Sequence, residues 1–208
     1  MKAKIKIILT VLLGLAWAGT AVWGGHALLK YENSPGKVGQ VFSSWPADST
    51  VQLANDRLTL VMAAHPQCPC TRASVAELAQ LMAHVQGKVQ AYVLFYSPRD
   101  SGADWQNTDL RRTAAQIPGV TVLSDVDGAE AERLGAETSG HTFLFDSTGR
   151  LLFNGGITAS RGHSGDNAGE NAIVSLINNQ ASARKETFVF GCSLKTPAPA
   201  REGSKCLK

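Results

Sequence analysis

Residues 7–25 carry no charge, and the run from Ile5 to Gly25 is interrupted only by Lys6. Such a stretch supplies roughly 17 to 20 apolar residues, enough for a helix to cross the ~30 Å hydrocarbon layer of a bilayer. It divides the chain into a membrane-facing appendage and a domain that must fold in water. Lys2, Lys4 and Lys6 would hold the N-terminus in the cytoplasm, with Trp17 or Trp23 at an interface, so that everything after Lys30 is exported. A cleaved secretory signal is the rival reading, because Ala16-Trp17-Ala18 before Gly19 is a tolerable small-x-small site. Both readings place the domain outside the cytoplasm, where thiols meet an oxidising environment.

Charge follows the same division. Four of the 20 basic residues (Lys2, Lys4, Lys6, Lys30) lie in the first thirty positions with no acid, leaving 16 basic against 17 acidic residues, a net of −1. The exported part is therefore no basic nucleic-acid binder, and no nucleic-acid partner is expected. At 44% hydrophobic and 18% charged, the 208-residue chain is neither disordered nor a disulfide-stapled miniprotein.

Residues 31–56, with Pro35, Gly36, Gly39 and Pro46, read as a tether and lead-in segment after the helix of residues 1–30. From Leu58 short apolar runs alternate with amphipathic stretches. Leu58 to Ala64 reads as a buried strand, Ser74 to Val85 as a helix, Val89 to Phe95 as a strand, Thr108 to Gln116 as a helix and Val120 to Leu123 as a strand. Ala129 to Leu134 reads as a short helix. Thr142 to Phe145 and Leu151 to Phe153 form a hairpin, and the last helix runs from about Asn167 to Asn179 with Asp166 or Asn167 as its cap. This order predicts an α/β domain over 57–182, its mixed sheet beginning with parallel crossovers and ending antiparallel. Residues 183–208, with Cys192 and Cys206, read as a C-terminal tail.

The chemistry concentrates in His65-Pro66-Gln67-Cys68-Pro69-Cys70-Thr71-Arg72, between a strand end and a helix start. There the helix amides and Arg72 would favour a thiolate at Cys68. Cysteines separated by one residue close only a small, strained ring, which suits a labile bridge. If the strand to Ala64 ends at this site, the strand from Thr142 begins there and its hairpin partner returns there. The glycine-rich loop after Phe153 then brings Arg161 and His163 to the site mouth. Asp125-Val126-Asp127-Gly128 lacks the remaining acidic ligands of a calcium loop and reads as a turn and cap.

The strand, the Cys-x-x-x-Arg turn, the helix and the later hairpin resemble exported thioredoxin-like proteins of the TlpA type. That resemblance implies a central mixed sheet flanked by helices, with Cys68 as nucleophile and Arg72 matching the family arginine, while Cys70 lies one residue before the usual resolving position, held by Thr71. Ser139-Gly140-His141-Thr142 is similar to the family segment in which a cis-proline faces the cysteine turn, so His141 is expected beside Cys68. The run from Thr138 to Asn167, His65-Pro66 and Phe190-Gly191-Cys192 resemble the RedB-like branch of membrane-anchored thioredoxin-fold proteins.

Two functions follow as expectations. The first is thiol–disulfide exchange on protein thiols or disulfides outside the cytoplasm, by a single-pass protein of the bacterial inner membrane facing the periplasm. Cys68 attacks, Cys70 resolves, His141 with Arg161 tunes or relays protons, His65 and His163 lie near the mouth, and no cofactor is required. The second is binding or delivery of copper or zinc through Cys68, Cys70 and His141, with His65 or His163 as a further ligand. Cys192 is open to three readings: a bridge to Cys206, packing under the sheet, or exchange with the site cysteines.

Overall fold

The computed structural model describes residues 2–102, 105, 107–180 and 184–195. Two compact units, 1–34 and 35–208, are distinct. The first is helix α1 (Lys2–Glu32), 31 residues long, which is long and apolar enough to cross a membrane, a property shared by anchors and signal sequences. None of its residues is buried against protein, and a helix apolar on all sides needs an apolar surrounding such as a membrane.

The second unit is built on β1 (Leu58–Ala64), whose last six residues are all buried. Covered on both faces, such a strand reads as a continuous apolar run rather than an alternating one. It pairs parallel with β2 (Val89–Ser97), which pairs parallel with β3 (Val120–Val126). On its other side β1 pairs antiparallel with β4 (His141–Phe145), followed by β5 (Leu151–Gly156), so the sheet order is β3-β2-β1-β4-β5. This mixed sheet with flanking helices is the thioredoxin-like arrangement.

Alternation along the strands sorts the core into two layers. Leu60, Met62, Ala64 and Leu144 face helix α2 (Thr71–His84), with Leu110 and Ala114 of α3 (Asp109–Ala115) and Ile173 of α5 (Ala168–Ile177) completing that layer. Val61, Ala63, Phe143 and Phe145 face the opposite way, where α4 (Ala129–Leu134) contributes only Ala131 and Leu134. Caps fix the helix starts: Thr108 accepts from the Arg111 amide, Asn167 from the Glu170 amide, and the Asp125 carboxylate from the Glu130 and Ala131 amides.

A six-residue helix cannot cover the second face, and this explains two departures from the sequence expectation. The supposed tether packs from Pro35 onward: Val51 is buried there, Trp45 meets Phe145 edge-on with ring centroids 5.0 Å apart, and the Ser49 and Thr50 hydroxyls donate to Glu130. Residues 184–195 of the supposed tail also belong to the fold. Leu194 is buried in the same layer, Glu186 bridges to Asn154, and Ser193 bridges to Thr138.

Candidate functional site

The site sits where β1 gives way to α2. The chain turns at His65–Cys70, with the Cys68 amide donating to the His65 carbonyl, and Cys70 stands at the N-cap of α2. Facing this turn, the stretch before β4 is held by a Gly140 amide that donates to the Ala63 carbonyl at 2.7 Å. The Ser139 hydroxyl accepts from the His65 amide at 2.7 Å and lies 2.6 Å from the Thr71 hydroxyl. The Thr71 hydroxyl also hydrogen-bonds Cys68; when it donates its proton to that sulfur, the Ser139 proton is the one shared between the two hydroxyls.

The third side of the site comes from the C-terminal segment. The Ser139 amide donates to the Cys192 carbonyl at 2.8 Å and the Leu194 amide to the Glu137 carbonyl at 2.9 Å. Cys192 is thereby carried to Cys68, its Sγ 2.7 Å from the Cys68 Sγ. The sulfurs of Cys68, Cys70 and Cys192 all lie within 4.8 Å of one another. Cys68 and Cys70 are 4% and 8% exposed, while Cys192 is half-buried.

These contacts separate the three thiols electrostatically. The hydrogen bond from Cys192, together with the Thr71 hydroxyl and the amides of Thr71 and Cys192, holds the Cys68 thiol down to about 5 against the opposing effect of burial. The same bond pushes the Cys192 thiol far up, helped by burial and by the Cys68 charge. Burial and the Cys68 charge also raise Cys70, and the Arg161 charge opposes the rise at both. The result at neutral pH is one thiolate flanked by two thiols, with a cation close by.

Arg161 reaches the site as the topology predicts, its guanidinium donating to the Gly191 carbonyl. Its loop is anchored underneath by fully buried Glu77 of α2, which accepts from the Gly165 amide at 2.8 Å and from the Asn167 side-chain amide at 3.1 Å. His65 is buried between Tyr96 and Trp105, with ring centroids 5.9 and 5.3 Å away. Burial lowers its pKa, with the Cys68 charge opposing. His163 lies exposed two residues beyond Arg161.

Two expected neighbours of Cys68 are elsewhere. Arg72 is exposed and its guanidinium is engaged by Asp109 of α3, because the second residue of α2 points outward between the two helices. His141 shares strand parity with Phe143 and Phe145, so its ring lies on the face away from α2, 4.1 Å from the Phe143 ring centroid. The Gly140–His141 peptide is trans. Fully buried, His141 makes no hydrogen bond of normal geometry at either nitrogen among the described residues; burial holds its pKa down to about 4, and the Asn154 side chain, near the ring but not in bonding geometry, opposes this only weakly. The Cys68, Cys70 and His141 metal set is accordingly not assembled; Cys192 takes the third place. Cys206 lies outside the described residues.

Sequence reasoning passed over Thr71 and Ser139 as parts of the site and left Cys192 among three alternatives. The Phe190-Gly191-Cys192 run was the available signal. A Cβ on Gly191 would meet the Ser139 carbonyl oxygen at 1.9 Å, so glycine is what allows the segment to lie this close.

No protein-family model and no curated protein matches the chain. Among solved structures it is similar to an uncharacterized conserved protein from Geobacillus kaustophilus, with TM-score 0.57 and 19% identity over 81% of this chain and 95% of that one. A hypothetical protein from Sinorhizobium meliloti 1021 gives TM-score 0.55 and 18% identity over 80% and 96%. A putative thiol:disulfide interchange protein DsbE from Chlorobium tepidum gives TM-score 0.43 and 18% identity over 70% and 96%. At these identities the first two likenesses concern the fold alone.

Proposed function

We propose that this chain is a membrane-tethered thiol–disulfide oxidoreductase of the RedB-like and TlpA-like kind, anchored by α1 in the bacterial inner membrane with its domain in the periplasm. Its substrates are protein thiols or disulfides, and it requires no cofactor. The observation that carries this reading is the grouping of three sulfurs within 4.8 Å at the start of a helix. Cys68 is the attacking thiolate, favoured by the Thr71 hydroxyl and by its sulfur neighbours. Cys70 and Cys192 stand within reach as protonated thiols able to complete the exchange. Arg161 offsets the negative charge, and His65 packs beside the thiolate. The test is turnover of a small aromatic disulfide by the detergent-solubilised chain with a dithiol reductant. Replacing Cys68 by Ser should abolish it, and unchanged turnover would overturn the reading.

The same observation supports a second reading, binding of a soft cation. Three sulfurs suit trigonal Cu(I), whereas zinc sites are usually four-coordinate and the grouped ligand atoms among the described residues number three. Anaerobic Cu(I) titration against a chromophoric chelator tests it, and absence of sub-micromolar binding would remove it.

A further inference from the structure

We infer that Cys192 is the resolving cysteine, delivered by the C-terminal segment, and that the oxidised protein holds a Cys68–Cys192 bridge across 124 positions of sequence in place of a Cys68–Cys70 bridge. This inference rests on the exchange reading and gives it a specific second sulfur.

Three observations carry it. First, the Cys68 and Cys192 sulfurs are 2.7 Å apart, so bond formation needs only a small approach toward the ~2.05 Å of a disulfide. Second, a Cys-Pro-Cys bridge must close within three residues around a proline of fixed φ, whereas Cys68 and Cys192 come from separate segments that impose no small ring. Third, the position of Cys192 is built into the fold. Its segment is tied by the Gly36 amide to the Val189 carbonyl at 2.7 Å, by the Ser139 and Leu194 amide bonds on either side of the cysteine, and by the buried side chains of Val189 and Leu194. Gly191 permits the close approach and Arg161 holds the Gly191 carbonyl.

The same segment lays the Cys192 sulfur directly against that of Cys68. Cys68 is only 4% exposed, so an external disulfide reaches it when the 190–193 stretch lifts, and the return of that stretch brings Cys192 onto the intermediate. The Cys68 thiolate attacks one substrate sulfur, forming a mixed disulfide and releasing the other as a thiolate. Cys192 then attacks the Cys68 sulfur. The Cys68–Cys192 bond forms, the bond to the substrate breaks, and the Cys192 proton passes to a departing thiolate. Two electrons have reduced the substrate, and an external dithiol of the same compartment returns the protein to its starting state.

The experiment is oxidation of the full chain in detergent with glutathione buffers, followed by alkylation and peptide mapping. Expected is a Cys68–Cys192 cross-linked peptide that opens with a dithiol, retained when Cys70 is replaced by Ser. In Cys192→Ser, a Cys68–glutathione mixed disulfide should accumulate on the order of tenfold above wild type, since the intramolecular step that clears it is gone. Gly191→Ala should lower the closed fraction without removing any thiol. A Cys68–Cys70 bridge with Cys192 alkylated, a Cys192–Cys206 bridge, or a Cys68–Cys192 bridge that dithiols never open would each overturn the inference while leaving Cys68 free to be tested as a nucleophile. Absence of both a Cys68 mixed disulfide and any Cys68 bridge would instead defeat the exchange reading itself.

Discussion

Replacing His141 by Phe should make the protein more resistant to acid, by an amount that can be worked out in advance. The imidazole is fully buried against Phe143 with both nitrogens unpartnered, and its pKa falls from 6.5 to about 4. For a base whose folded pKa is lowered, the unfolded chain binds the extra proton. The contribution to stability is therefore complete above the ordinary pKa near 6.5 and is lost as pH falls toward 4. At about 1.36 kcal/mol per pH unit, the loss is about 2 kcal/mol at pH 5 and about 3 kcal/mol at pH 4. A phenyl ring carries no proton; at neutral pH the removal of two buried polar nitrogens is opposed by overpacking from its larger ring, each effect being about 1–3 kcal/mol and neither depending on pH. Urea unfolding of the full chain in detergent, wild type against His141→Phe, measures the difference at each pH. Other titrating groups, Cys68 included, cancel in that comparison. Whatever the difference at neutral pH, it should shift by about 3 kcal/mol in favour of the variant on going to pH 4. A difference that stays flat with pH would mean that His141 titrates normally and is not sealed in the sheet.

The remaining predictions concern the site itself. Alkylation of Cys68 by iodoacetamide should follow thiolate formation with a midpoint near pH 5, and the contribution of this thiolate to the stability of the reduced fold should be lost progressively as pH falls from about 9 to about 5. Thr71→Val should move the midpoint upward by removing the hydroxyl, and a wild-type midpoint near 8.5 would contradict the hydrogen-bonded thiolate. Arg72→Ala should leave that pH–rate profile unchanged, because its guanidinium is engaged by Asp109 at the surface; a raised midpoint would restore Arg72 to the site. Glu77→Ala strips the Gly165 amide and Asn167 of their buried acceptor and should cost about 2 kcal/mol in urea unfolding. An unchanged midpoint of unfolding would show that the Arg161 loop holds itself.

Much of this architecture is legible because it is local. A run of 19 uncharged residues, 7–25, defines a span, and turn and capping residues set boundaries that hold, from Thr108 and Asn167 at helix starts to Asp125 before α4. The cysteine turn is legible for the same reason, since strand, turn and helix are consecutive in the chain. The ends of the domain are not. Residues 35–56 and 184–195 carry isolated apolar residues such as Trp45, Val51, Val189 and Leu194 without a period, and their burial becomes apparent only once α4 proves too short to cover its side of the sheet.

The site divides along the same line. Sequence by itself determined that Cys68 and Cys70 stand at the start of a helix and that Arg161 returns to them, because both follow from element order. Only the tertiary structure decided which way His141 points, since a strand residue's face depends on register with its neighbours, and here parity with Phe143 turns it away from the sulfurs. Only the tertiary structure brought Cys192 to Cys68, because no local rule relates residues 124 positions apart until the Ser139 and Leu194 amides pair the last segment with the stretch before β4.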